Sequence, residues 1–251
     1  MRLAIFSDVH SNLPALEAVL ADIAGADVDE RYLLGDLVGY APWPNETLEL
    51  LQREDIPIVM GNYDDGTGYD RDECGCAYNN PIEEALGDES FAWTKAHTTA
   101  ANKAFLRGLQ PQIRVEHGRR RFLLVHGSPR RMNEYLFEDK PDTTFARIAA
   151  GADADVIVCG HTHKPYTKQV GVTLFVNVGS AGKPKDGDPR ACWALIEPAS
   201  DGVRVEFRRV AYDLERTARA TLNSDLPDEF AGQLREARGY LPVAVSAGAD
   251  S

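Results

Sequence analysis

Asp8 and His10 stand two residues apart, directly after the apolar run Leu3-Ala4-Ile5-Phe6 and Ser7. Four further segments repeat the pattern: Gly35-Asp36, Gly61-Asn62, Val125-His126-Gly127 and Gly160-His161-Thr162-His163, with Asn177-Val178-Gly179-Ser180 as a polar echo. Nearly every one closes a run of β-branched or leucine residues, as the end of a buried strand does. Side chains carried past neighbouring strand ends collect at one edge of a sheet. Asp8 and His10 can converge on one ion, and Asp36 supplies a carboxylate able to bridge two. Asn62 adds a neutral carbonyl oxygen, and His126, His161 and His163 add imidazole nitrogens. Mixed nitrogen and oxygen donors suit manganese, iron, zinc, nickel or cobalt rather than magnesium or calcium alone, and the lack of cysteine argues against a thiolate-rich structural zinc site. Any one segment alone reads as a turn. Five in order, holding four of the six histidines, point to a dinuclear centre and a two-metal hydrolase. His97, on a predicted helix, and His117, near a hairpin turn, lie outside the pattern and read as structural or exposed.

The elements that must position these groups follow from periodicity. Leu3 to Phe6 reads as a buried strand. Leu13 to Ala24 reads as a helix, with Leu13, Leu16, Leu20 and Ile23 on one face, Ser11 or Asn12 as cap and Pro14 in the first turn. Arg31 to Leu34 is the next strand, Asn45 is expected to cap a helix from Glu46 to Arg53, and Ile58-Val59-Met60 is a third strand. Strands alternating with amphipathic helices favour an α/β organisation with right-handed crossovers. The pattern breaks at Tyr63 to Asn80, which reads as a long acidic loop over the mouth of the site. Pro81 to Leu86 is expected as a short helix and Glu89 to Gly108 as a long one. After Pro111 the period moves toward two: a hairpin around Gly118 exits at His126, and strands follow at Asp155 to Cys159, Leu174 to Val178, Cys192 to Ile196 and Val203 to Val210, with a helix at Thr143 to Ala150. Two packed sheets, each covered outside by helices, satisfy both halves. The polar tail has helical candidates at Leu214 to Leu222 and Asp228 to Arg238, and Ala244 to Ser251 is expected to fray.

Composition bounds the function. The chain has 251 residues, 43% of them hydrophobic, enough for a real core. Its net charge of −12 argues against a sequence-independent nucleic-acid binder, while leaving a small phosphorylated substrate open because bound metal reverses the local field. No apolar stretch is long enough to span a membrane. The leading apolar stretch is too short for an export signal, so a cytoplasmic protein without a disulfide framework is expected. Cys74-Gly75-Cys76 is too close-set for a Cys-x-x-Cys redox pair.

In their order, Asp8-x-His10, Gly35-Asp36, Gly61-Asn62-x-Asp64, His126-Gly127 and Gly160-His161-x-His163 resemble the calcineurin-like metallophosphoesterases, close to their small bacterial and archaeal phosphodiesterase branch. The motifs run from residue 7 to 163, and with Asn177 to Ser180 the resemblance covers about the first 210 residues. It implies an α+β fold, a four-layer αββα sandwich of two packed mixed sheets flanked by helices, as residues 1–212, with 213–251 a helical extension ending flexibly. It implies two divalent transition-metal ions, with Asp8, His10 and His163 on the first, Asn62, His126 and His161 on the second, and Asp36 bridging. Asp64 then orients the ligands rather than binding metal. The implied activity is hydrolysis of a small-molecule or nucleotide phosphodiester by a hydroxide bridging ions roughly 3.5–4 Å apart, with no protein nucleophile, so that Ser7 and Ser180 are hydrogen-bonding neighbours. A phosphomonoesterase acting on protein or nucleotide, and a metal-bound interaction module without turnover, are the alternatives. The sequence departs from the family pattern at Tyr63, where many members carry a histidine that contacts the phosphoryl group. Tyr63 is the catalytic candidate as a hydrogen-bond donor there, but a phenol with a pKa of about 10 is a poor proton shuttle at neutral pH; packing against the acidic loop is its other reading. Arg130 and Arg131, then Lys183 and Lys185, are the basic residues nearest the motifs in sequence for meeting a phosphate, or else solvated loop charges.

Overall fold

Alternate residues of strand β1 (Leu3–Phe6) serve two different cores. Ala4 and Phe6 pack with Leu16, Val19 and Ile23 of helix α1 (Leu13–Gly25), whereas Leu3 and Ile5 face Phe122, Val156 and Val158 of the other sheet. The computed structural model describes residues 1–78, 80–199 and 202–239 of the chain. In the first sheet β1 lies between β2 (Glu30–Leu33), parallel to it, and β8 (Ala191–Ala199), antiparallel, with β9 (Gly202–Val210) beyond. The second sheet runs β3 (Ile113–His117), β4 (Arg120–Leu124), β5 (Val156–Cys159), β7 (Thr173–Asn177) and β6 (Tyr166–Val170), with parallel pairs at its centre and antiparallel pairs at its edges. Val156 and Val158 face the first sheet; Ile157 and Cys159 face Phe145 and Ile148 of α6 (Asp142–Ala152). The two mixed sheets thus pack face to face between helices, an α+β sandwich of four layers. The remaining helices are α2 (Pro44–Glu54), α3 (Asn62–Gly68), α4 (Pro81–His97), α5 (Ala100–Arg107), α7 (Leu214–Leu222) and α8 (Glu229–Glu236).

Several local expectations change. Ile58 to Met60 is not a strand but two isolated parallel bridges, Leu33 to Ile58 and Val59 to Gln110. Asn45 does not cap α2; Trp43 holds that position, and the Asn45 side chain ties His97 O to Thr99 N and Asn102. The first part of the expected acidic loop is α3, started by Asp64 reaching back to the Gly61 N–H, half of a capping box, because Gly61 has no side chain to return the bond. Helix α4 starts at Pro81 and stops at His97, because Thr98 bonds back to Thr94 O and Thr99 caps the separate helix α5. The edge strand β6 is polar and adds to the expected strands. Cys74 and Cys76 form a disulfide where no disulfide framework is expected; it spans one intervening residue and cross-links no distant segments. Residues 244–251, expected to fray, lie outside the described residues.

Candidate metal centre

Asp8 and His10 follow β1, Asp36 follows β2, His126 follows β4, His161 and His163 follow β5, and Asn62 opens α3. Asp8, His10, Asp36, His161 and His163 all have left-handed backbone, with φ of 56°, 50°, 54°, 65° and 60°. For residues with a Cβ this conformation costs ~1–2 kcal/mol each and persists only where the surroundings impose it. Here bonds between neighbouring turns impose it: Asp8 N–H donates to Gly35 O, His10 N–H to Asp36 O and Gly160 N–H to His126 O, at 3.0, 3.0 and 2.9 Å. Glycine allows two of the approaches, since a Cβ on Gly61 would meet Asp36 Oδ1 at 2.2 Å and one on Gly160 would meet Ser7 Oγ at 2.1 Å.

These turns bring all seven expected ligands together. Asp8, His10 and His163 form one group, and Asp36, His126 and His161 a second. His163 Nε2 lies 3.2 Å from His10 Nε2 and 3.3 Å from Asp8 Oδ1. His126 Nε2 lies 3.1 Å from both His161 Nδ1 and Asn62 Oδ1. Asp36 Oδ2 is 3.7 Å from His10 Nε2 and 3.4 Å from His126 Nε2, so a single carboxylate oxygen reaches both groups. Backbone carbonyls set the rings: His10 Nδ1–H donates to Val38 O, His126 Nδ1–H to Leu34 O and His163 Nδ1–H to Lys183 O. A carbonyl accepts only from N–H, which leaves each Nε2 bare and inward. His161 turns the other way, presenting Nδ1 to His126.

The donors suit divalent cations. All seven side chains belong to residues at most 5% exposed, and Asp8 Oδ1 has no hydrogen-bond partner among the described residues. Burial pushes the Asp8 carboxyl up to about 7 and pulls the His10 imidazole down to about 4. Burial also opposes the Asp36 charge, but His126 and His10 hold that carboxyl well below the usual range, and Asp36 in turn lifts His126, against burial, to about 10. Two buried carboxylates amid bare imidazole nitrogens are a costly arrangement that cations offset.

The sequence profile of the calcineurin-like phosphoesterase superfamily domain matches residues 1–201. The chain belongs to that superfamily. It is 30% identical over 243 residues to the uncharacterized protein MJ0912 of Methanocaldococcus jannaschii, covering 90% of this chain and 94% of that one. It is 25% identical over 197 residues to Phosphodiesterase YfcE of Escherichia coli K12, covering 78% of this chain and 88% of YfcE. Its fold matches the crystal structure of a metallophosphoesterase from Sphaerobacter thermophilus with a TM-score of 0.74 at 32% identity, covering 94% of this chain and all of the other.

Around the candidate ligands of this superfamily member, polar side chains hold backbone. Asp64 accepts from the N–H groups of Asp36, Leu37 and Gly61 at 2.8, 2.8 and 2.9 Å. Asn177 donates to Gly160 O and Thr162 Oγ1, pinning the turn that carries His161 and His163. Ser180 Oγ donates to Asp8 O and Ser7 Oγ to Leu34 O. Asn62 Nδ2 donates to Cys74 O at 3.1 Å, so the acidic segment turns the amide oxygen of Asn62 inward.

Tyr63 is 1% exposed, with its ring edge-on to His10 and Phe91 and tilted against Tyr40. Its backbone N–H, rather than its phenol, touches a ligand, donating to Asp36 Oδ1 at 2.9 Å, and burial pushes the phenol further above its ordinary pKa. Arg130 is ion-paired with Glu134, and neither Arg130 nor Arg131 lines the cavities beside the ligands; Lys183 and Lys185 do. Lys183 Nζ donates to Gln233 Oε1 at 2.7 Å and lies 4.4 Å from the Tyr40 ring and 5.3 Å from that of Phe230. His97 stacks on Trp93, and His117 Nε2 lies 3.3 Å from Glu30 Oε2. Sequence reasoning missed two aromatic neighbours, Tyr135 at 3.8 Å from the His161 ring and Tyr40 at 4.9 Å from that of His10. Neither sits in a motif. No helix among the described residues is long and apolar enough to cross a membrane.

Proposed function

We propose that the chain is a metal-dependent phosphodiesterase that hydrolyses a small-molecule or nucleotide phosphodiester. One observation carries the reading: Asp36 Oδ2 lies within reach of both ligand groups. In this reading Asp8, His10 and His163 hold one ion, Asn62, His126 and His161 hold another, and Asp36 belongs to both. The mixed nitrogen and oxygen donors favour manganese, iron, zinc, nickel or cobalt. When bound, such a pair supplies Lewis acidity toward phosphoryl oxygens and a water acidic enough to attack at neutral pH.

The protein's own part is orientation. Three carbonyls fix three imidazoles, Asp64 fixes the turn bearing Asp36, and Cys74 O fixes the amide of Asn62. The hydroxyls of Ser7 and Ser180 donate to carbonyls, in keeping with a mechanism without a serine nucleophile. Tyr63, buried and with a raised pKa, donates no proton to a leaving group at neutral pH, which favours diesters with good leaving groups over poor ones. The name of the relative YfcE supports the same activity. Residues 1–212 form the catalytic unit in this proposal, and the helices beyond them wall its site.

Metal-stripped protein reconstituted singly with manganese, nickel, zinc or magnesium, then assayed on phosphodiester and phosphomonoester panels, tests the reading. Diester hydrolysis that depends on added transition metal is the expected result. Metal uptake without hydrolysis of any ester would sink the enzyme reading, and a monoester preference would move it to a phosphatase.

A further inference from the structure

Cys74 and Cys76 stand outside every motif, yet they hold one of the expected metal ligands. Asn62 Nδ2 donates to Cys74 O at 3.1 Å and to Cys76 Sγ at 3.4 Å. Both acceptors belong to the small ring that the disulfide closes through Gly75, whose φ of +67° suits glycine in so tight a turn. With Nδ2 turned toward that ring, Asn62 Oδ1 points the other way, 3.1 Å from His126 Nε2. Asn133 Nδ2 donates to Gly75 O at 2.9 Å and holds the ring from outside.

A disulfide across one intervening residue removes little freedom from the unfolded chain, so it contributes less to folding than a long-range cross-link does. In reducing compartments such pairs are transient, redox-sensing bonds. This one is open to attack. It borders a cavity of about 480 Å³ lined by Asp72, Glu73 and Tyr78 among others, and Cys76 is half-buried where Cys74 is 6% exposed. A thiolate of a small dithiol attacks Cys76 Sγ, and Cys74 leaves as a thiolate and takes up a proton. The second thiol then attacks the dithiol sulfur joined to Cys76, and Cys76 leaves in turn. The dithiol becomes a cyclic disulfide, and its two electrons and two protons pass to Cys74 and Cys76. We propose that Cys74–Cys76 is a redox-modification site that sets the affinity of the ion held by Asn62, His126 and His161. Closed, the ring fixes the Asn62 amide for that ion; opened, it frees Cys76 Sγ and the amide loses one of its two anchors. The inference rests on the two-ion reading of the centre and adds its regulation.

Manganese binding to the metal-stripped full chain tests the switch. Calorimetry would be run before reduction, after reduction with dithiothreitol and anaerobic removal of the reagent, and after reoxidation. Thiols counted in denatured protein should number two before reduction, from Cys159 and Cys192, and four after it. Reduction should weaken one manganese ion ~10–100-fold, the scale of losing a group that orients a ligand, and leave the other within about twofold. Reoxidation should restore the tight site. Cys76→Ser should bind as the reduced chain does; if it fails to fold, the reversible titration of the native chain carries the test. In Asn62→Ala the two redox states should bind alike, because the anchored amide is gone. Four thiols in the chain purified in air, equal affinity in the two states, or a redox difference that survives in Asn62→Ala overturns the switch. Diester turnover measured in parallel separates the two ideas. Redox-dependent binding without turnover keeps the switch and removes the phosphodiesterase reading, and turnover with binding indifferent to redox state does the reverse. Manganese uptake in neither state removes both.

Discussion

The ligands and the wall above them are held by different forces. Asp8, His10, Asp36 and the His161 to His163 turn are fixed by bonds from backbone to backbone and from carbonyl to imidazole, all deeply buried. Tyr40, Tyr135 and Lys183 are fixed by other side chains: ring against ring, ammonium over ring, and one amide from α8. The backbone bonds, pinned by the buried side chains of Asp64 and Asn177, form one connected network, whereas each ring contact can change by itself. The candidate metal centre is therefore expected to stand or fail as a unit, whereas the surrounding wall can be altered one residue at a time.

Four substitutions would break or sharpen this contrast. Asp36→Ala removes the oxygen within reach of both ligand groups, and hydrolysis should fall by more than the ~10²–10³-fold that loss of one oriented donor costs; bound metal per chain should fall with it. Retention of activity within about tenfold would show that the two groups act separately. Asp64→Asn replaces a carboxylate that accepts three N–H groups with an amide whose NH₂ faces a donor, and metal affinity should drop ~10–100-fold in a chelator competition. Lys183→Met keeps the packing between Tyr40 and Phe230 but loses the ammonium, so KM should rise by about three- to tenfold while metal affinity holds. A parallel fall in metal affinity would place Lys183 with the ligands. Arg130→Ala should leave kcat/KM within about twofold, because its exposed pair with Glu134 contributes little.

The same division governs what the sequence discloses. Ligand types past short apolar runs are legible because both faces of a central strand are buried, so Val156-Ile157-Val158-Cys159 reads as a continuous apolar run and the next polar residues must lie at the sheet edge. The wall carries no such signal. Tyr135 lies in a segment without period, and Phe230 comes from a helix far along the chain from Tyr40, which it meets at 5.2 Å. Arg130 looked available to phosphate because it follows His126 closely, yet its partner stands four residues on. Edge strand β6 hides behind Thr167, Lys168 and Gln169, and α3 hides behind two glycines because its cap depends on where Asp64 reaches.

The left-handed backbone at five ligands has an evolutionary consequence. Glycine and asparagine occupy that conformation most easily, so replacing His10, His161 or His163 with either would relieve the folded chain by ~1 kcal/mol at each site. Without selection for metal, this backbone contribution favours such drift, and the space left by a buried ring opposes it. Where the backbone contribution prevails, a descendant released from that selection should carry glycine or asparagine at these positions.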